Sequence, residues 1–221
     1  RRCAGRVHTI PNGLDDSYIG PLPEAGDRRG VAFWGNQSFA PNCEALRFFV
    51  HEVYLPRLRD QGVELCVIGA DPPSWLVELA ADDPSIVLPG YVDDLRTVAT
   101  RYPIMINPMR TGSGLKNKVL EAFGLGLVVV STPLGVEAIP DASDGEHLVC
   151  AGSAAEFGAT ILALLGDRAR RQRLRQAAHA LVHERYRWET VGRRWRALLE
   201  RGRPATDGQR GRSVASRVPA A

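Results

Sequence analysis

The chain is poor in the groups from which stapled or metal-built proteins are made. Its four cysteines, Cys3, Cys43, Cys66 and Cys150, form no Cys-x-x-Cys pair and show no metal-ligand spacing. A disulfide framework is therefore not indicated, and Cys66 and Cys150, which fall inside apolar runs, read as small core residues. His179 and His183 stand one helical turn apart but lack a third ligand nearby, so they read as a solvated helix face rather than a metal site. Long apolar runs are also missing. Stretches such as Leu127 to Val130 fall far short of the ~20 residues a membrane-crossing helix needs, and no basic-then-apolar signal segment opens the chain. A cytoplasmic protein is expected. No Asp-x-Asp motif is present to bridge a metal to a phosphorylated ligand, so no metal cofactor is expected. No Gly-x-Gly-x-x-Gly follows the first apparent strand, which argues against an ordinary dinucleotide-binding domain.

What is present is a chain of 221 residues, 44% hydrophobic and 24% charged, enough for one α/β domain with a real core. The formal charge of +3 comes largely from arginines beyond Arg168. Such helices could touch nucleic acid or anionic lipid, but the interspersed Glu184, Glu189 and Glu200 favour solvated faces, and no nucleic-acid partner is expected. From residue 31 short apolar runs alternate with amphipathic stretches, the pattern of a doubly wound, Rossmann-like parallel sheet in a single domain. Strands are expected at 31–35, 64–69, 86–88, 104–107, 127–131 and 147–150. Helices are expected at 42–58, bent near Pro56, and at 75–81, 93–100, 154–165, 167–185 and 188–201. Residues 1–29, with a Pro11-Asn12-Gly13 turn and a Pro/Gly-rich stretch, read as a crossing and linker. Residues 30–201 form the domain, and 202–221, without apolar rhythm, are expected to be disordered. The first residue is Arg1, not methionine, so the sequence is expected to be a piece of a longer protein. Sheets of this kind bind ligands beyond the carboxyl ends of their strands, which gathers Gly35, Gly69, Tyr91 and the 111–118 loop on one rim.

The most informative stretch runs from Arg110 to Ala122. It joins Gly112-Ser113-Gly114 to Lys116, Lys118 and Glu121 at the start of a helix that follows the strand at Ile104–Asn107. Glycines allow a loop to approach a ligand closely, and the free N–H groups of a helix start attract an anion. The lysines add charge for a diphosphate, and a carboxylate has two oxygens to accept from a pair of sugar hydroxyls. The same spacing also allows Lys118 and Glu121 to be an ordinary surface ion pair, and Lys116 to be merely solvated.

Together Pro11-Asn12-Gly13-Leu14-Asp15, Gly35 with Pro41-Asn42, the 112–122 motif and Ser131-Thr132-Pro133-Leu134-Gly135-Val136-Glu137 resemble family 4 glycosyltransferases of the GT-B fold. The resemblance covers residues 8 to about 200 and is to the C-terminal, donor-binding half, with Pro11 to Asp15 as the inter-domain crossing and the N-terminal acceptor-binding half absent. It implies a retaining enzyme of hexosyltransferase type, with a nucleotide-diphosphate sugar as co-substrate. By resemblance Glu121 accepts from the ribose diol, while Ser113 stands where the family usually has a first glutamate. The loop after the first strand, Asn36-Gln37-Ser38-Phe39, lacks the arginine and lysine that usually hold the diphosphate. Lys116 is then expected to neutralise it, with Lys118 second and the amides of Gly112 to Gly114 helping. Gly35 would let the backbone approach the phosphates, and the backbone at Tyr91 and Val92 would meet the base, with the Tyr91 ring packing. Glu137 resembles a loop residue facing the donor, though a helix-start carboxylate would look the same. A lipid-linked or glycan acceptor would bring such an enzyme to the inner face of the membrane. A non-catalytic nucleotide-sugar binding module, or a truncated relic, is the alternative.

Overall fold

The structure, a computed structural model, describes residue 8 and residues 10–202. Cys3 and the tail beyond Gly202, about which the sequence raised expectations, lie outside the described residues.

In chain order the elements are β1 (Gly30–Trp34), α1 (Ala40–Phe48), a wider π-type helix (Phe49–Leu58), β2 (Glu64–Ile68), α2 (Ser74–Asp82), β3 (Ile86–Gly90), α3 (Arg96–Ala99) and β4 (Ile104–Asn107). They continue with α4 (Asn117–Gly124), β5 (Val128–Ser131), α5 (Pro133–Val136), β6 (Val149–Cys150), α6 (Ala154–Gly166), α7 (Arg168–Arg185) and α8 (Trp188–Gly202). The six strands form one parallel sheet in the order β3-β2-β1-β4-β5-β6, so the expected doubly wound architecture is present. None of the helices among the described residues is long and apolar enough to cross a membrane.

Parallel strands covered on both faces must be apolar on both, and the period of two divides them between two cores. Val31 and Phe33 of β1, Leu65 and Val67 of β2, and Ile104 and Ile106 of β4 turn to the side of the π-type helix and α6. Their alternates Ala32, Trp34, Cys66, Ile68 and Met105 turn to the side of α4 and α7. Cys66 is a core residue as expected, and Cys150 packs against the same cluster.

The helix expected over 42–58 is corrected, because its second half widens from Phe49 onward, well upstream of Pro56. Proline has no N–H to donate and its ring crowds the carbonyl one turn back, and the Arg57 guanidinium donates to the Glu52 carbonyl at 2.6 Å. The helix expected over 93–100 shrinks to α3, since the Asp94 carboxylate accepts from the Arg96 amide (2.9 Å) and makes the preceding residues a turn. The short α5 was not anticipated. It starts at Pro133, and the Thr132 hydroxyl caps it by accepting from the Gly135 amide at 3.0 Å.

The arginine-rich α7 is not simply a solvated face. Arg175 is 4% exposed, and its guanidinium donates to the carbonyls of Gly126 (2.8 Å) and Pro23 (2.5 Å) and to the Gln172 side chain (3.2 Å). His183 meets the Gly20 carbonyl at 3.0 Å, with the His179 ring tilted against it at 4.4 Å between centroids, so these partly buried histidines face the crossing segment rather than solvent. Leu14 and Ile19 bury their side chains in the α4–α7 core, and the Leu14 amide donates to the Tyr186 carbonyl at 2.6 Å. Residues 14–23 are thus stitched to the domain. Replacing Arg175 with leucine leaves two carbonyls without their charged donor and is expected to cost about 2–4 kcal/mol in urea unfolding. A change below about 0.5 kcal/mol would show that the guanidinium holds nothing together.

Candidate functional site

At the carboxyl edge of the sheet the loops after β1 and β2 touch. A Cβ at Gly69 (φ +138°) would lie 2.1 Å from the Gly35 carbonyl oxygen, so only glycine lets the two chains come this close. The Gly35 amide donates to the Ile68 carbonyl at 3.1 Å and the Gly69 amide to Gly90 at 2.8 Å, which ties three strand ends into one rim.

Two clefts open there. The larger, about 720 Å³, lies between the end of β1, the start of α1 and the glycine loop, and Gly35, Ser113, Lys116, Lys118 and Glu121 line it. The smaller, about 410 Å³, runs past Gly69 to Tyr91 and Val92. Trp34 and Gly35 belong to both, so the clefts adjoin.

Lys118 sits in the first turn of α4, partly buried, and its ammonium donates to the Asn42 side-chain Oδ1 at 2.7 Å above the Phe33 ring, 4.2 Å from the centroid. Asn42 is itself 6% exposed and fixed by its amide, which donates to the Asn36 carbonyl at 2.7 Å. Burial pulls the Lys118 pKa down to about 8, with Glu121 opposing that shift and Lys116 adding to it. The ammonium also reaches 3.3 Å from where a Gly35 Cβ would stand. Lys116 is neither merely solvated nor turned into the first-strand loop. Its ammonium donates to the carbonyls of Ser113 (2.9 Å) and Gly114 (3.2 Å) and closes the glycine loop on itself. Both lysines line the larger cleft.

Glu121 lies one turn further along α4, partly buried, and its Oε2 accepts from the Trp34 indole N–H at 2.7 Å. Burial raises its pKa, against the lowering influence of the Trp34 hydrogen bond and the Lys118 charge. Among the described residues no ion pair joins Lys118 to Glu121, so the surface pair that the spacing allows is replaced by two separate anchors, Asn42 and Trp34. Gly112 (φ +89°) and Gly114 (φ +81°) shape the loop, Ser113 is exposed, and among the described residues no side chain caps α4.

One expectation is corrected, since Tyr91 is not a packing residue: it is 74% exposed just beyond β3, while Val92 is partly buried. Glu137 is exposed beside α5 and lines neither cleft; its neighbour Ala138 borders a separate cavity behind Gly114 and Leu115. Sequence reasoning missed Trp34. An indole at the last position of a buried strand, just before a loop glycine, is a donor that needs a partner, and that was the available signal. Asn42 was seen only as part of a motif, not as the anchor of Lys118. Among the described residues no group of three or more His, Cys, Asp or Glu is placed to hold a metal.

The family model for glycosyl transferases group 1 matches residues 28–167. No curated protein matches the chain. Among solved structures, a point mutant of S. aureus TarM in complex with fondaparinux, α-GlcNAc-glycerol and UDP is similar with a TM-score of 0.70 at 16% identity, over 86% of this chain and 39% of that one. Anabaena HepE in complex with UDP and glucose gives 0.66 at 15% identity, over 86% of this chain and 56% of that one. The C-terminal domain of LpcC, a group 1 family glycosyl transferase from Francisella tularensis, gives 0.61 at 19% identity, over 80% of this chain and 100% of that one. This chain thus spans about 39% of TarM and 56% of HepE, and at such identities the likeness is one of fold. With residues 28–167 under the family model and a six-stranded parallel sheet that matches the C-terminal domain of GT-B enzymes, the chain belongs to the group 1 glycosyl transferases.

Proposed function

We propose that this chain binds the nucleoside diphosphate of a nucleotide-sugar donor in the paired clefts, and serves as the donor half of a retaining sugar transferase of family 4 type. The observation that carries the reading is the pairing on α4 of a partly buried ammonium and a carboxylate, both lining one cleft, the first with no carboxylate in contact and the second with one oxygen unbonded among the described residues. In this reading Lys118, the uncapped amides of α4 and the loop amides of Gly112 to Gly114 receive the diphosphate. Lys116 joins them when it leaves its loop carbonyls. Glu121 accepts from the ribose hydroxyls, the base enters the smaller cleft beside the backbone of Tyr91 and Val92, and Ser113 stands nearest the sugar. As the glycosidic bond breaks, the fixed positive charge stabilises the departing diphosphate, an electrostatic contribution available without a metal. The acceptor, a lipid-linked or glycan hydroxyl, comes from an N-terminal domain and attacks on the face the diphosphate leaves, in the cytoplasm at the inner face of the membrane. TarM and HepE were solved with UDP, which favours uridine diphosphate as the first nucleotide to try.

Calorimetric titration of the chain with UDP, GDP and dTDP tests the donor site. Base-selective binding by the wild type supports it, and a folded chain that binds none of them sinks it. For the complete enzyme, proton NMR of the product tests retention, and an inverted anomeric configuration would refute it. Ser113 at the place of the family's first glutamate favours a second reading, a binding module without turnover, which predicts donor binding with neither transfer nor hydrolysis.

A further inference from the structure

We infer that Trp34 is a positioning residue for Glu121, holding one carboxylate oxygen so that the other is presented to the ribose diol of the bound nucleotide. The inference rests on the donor-site reading above. Trp34 closes β1, is 5% exposed and forms the wall common to both clefts, where a ribose would link base to diphosphate. Its indole is held in the core cluster with Ile68, Val119 and Leu120, so the direction of its N–H is set by packing rather than by the ligand. An indole only donates, and its one donor meets Glu121 Oε2 at 2.7 Å. A free glutamate on a helix samples several rotamers, and ordering it on binding would cost affinity; the indole orders it beforehand. Among the described residues no other carboxylate lines either cleft, and the loop position that could have supplied one is Ser113, so in this reading the diol is recognised by Glu121 Oε1. One fixed oxygen facing a diol discriminates ribose from 2′-deoxyribose, because the deoxy sugar leaves a desolvated acceptor underused.

The test is the ratio of affinities for UDP and 2′-deoxy-UDP, or for the GDP pair if guanine is preferred, measured by calorimetry on the wild type, Trp34→Phe and Glu121→Gln. Phenylalanine keeps the aromatic wall and removes the N–H. The expected result is a ribose preference reduced about fivefold or more in Trp34→Phe, with affinity for the deoxy nucleotide held within about twofold. A general packing defect would lower both affinities together. Benzothienylalanine at position 34, nearly isosteric with tryptophan but without the N–H, gives the same ratio if the hydrogen bond matters, and serves if Trp34→Phe does not fold. An unchanged ratio in these variants, with the preference lost in Glu121→Gln, overturns the role of Trp34 and leaves the donor site standing. Absence of nucleotide binding by the wild type overturns both.

Discussion

Replacing Glu121 with alanine is expected to weaken binding of the preferred nucleoside diphosphate by about 30- to 150-fold. Hydrogen bonds to a carboxylate contribute ~1.5–3 kcal/mol each, and two to one diol add incompletely, so a loss of ~2–3 kcal/mol follows. A second effect acts in the same direction. The Glu121 charge is what holds the Lys118 pKa up against burial, so without it that pKa drops below about 8 and less of the amine is charged at neutral pH. The alanine also orphans the buried Trp34 N–H, at a stability cost of about 1–2 kcal/mol that Glu121→Gln avoids. Titrating both variants separates these effects. A dissociation constant for Glu121→Ala within threefold of the wild type would remove Glu121 from the site.

Lys118→Met is expected to move stability and binding in opposite directions. The folded pKa of about 8 lies below the ordinary lysine value of 10.5, so the unfolded chain holds more protons between those values. Stability attributable to this group is therefore highest above pH 10.5, declines as pH falls through that window and is lowest below about pH 8, where a charged ammonium is kept partly buried. Methionine fills similar space without that penalty. A gain of about 1–2 kcal/mol at pH 7, or a few degrees in Tm, is expected after allowance for the lost bond to Asn42, while diphosphate affinity falls by more than about tenfold. The wild type should bind diphosphate best below pH 8 and lose affinity above it, as Lys118 gives up its proton. A Lys118→Met protein that is less stable than the wild type, or that binds as well, would show that the ammonium is a structural part rather than a stored charge.

The succession of strands along the chain and the position of the glycine loop were legible in the sequence because both follow from local pattern. A short β-branched run such as Val128 to Ser131 reads as a buried strand, and glycines between a strand and a helix read as a loop. The site's anchors were not legible, because they depend on pairs far apart in the chain. Trp34 reaches Glu121 and Asn42 reaches Lys118 only because β1 lies beside β4 in the sheet. The resting contacts of the two lysines were hidden for the same reason: the start of α4 turns Lys118 toward Phe33 and Gly35 and lets Lys116 fold back onto Ser113. Arg175 was hidden among neighbouring arginines of similar appearance, and only its place opposite Gly126 and Pro23 sets it apart.

The most direct test of a nucleotide site at this rim is an amide chemical-shift map of the isotope-labelled chain during titration with the nucleoside diphosphate it prefers. The account predicts saturable shifts at Gly35, Gly69, Val92, Gly112 to Gly114 and the first turn of α4, with the Trp34 indole N–H moving along with them. Shifts confined to the cavity between residues 22–25 and the start of α7, or no shifts from a folded chain, would contradict it.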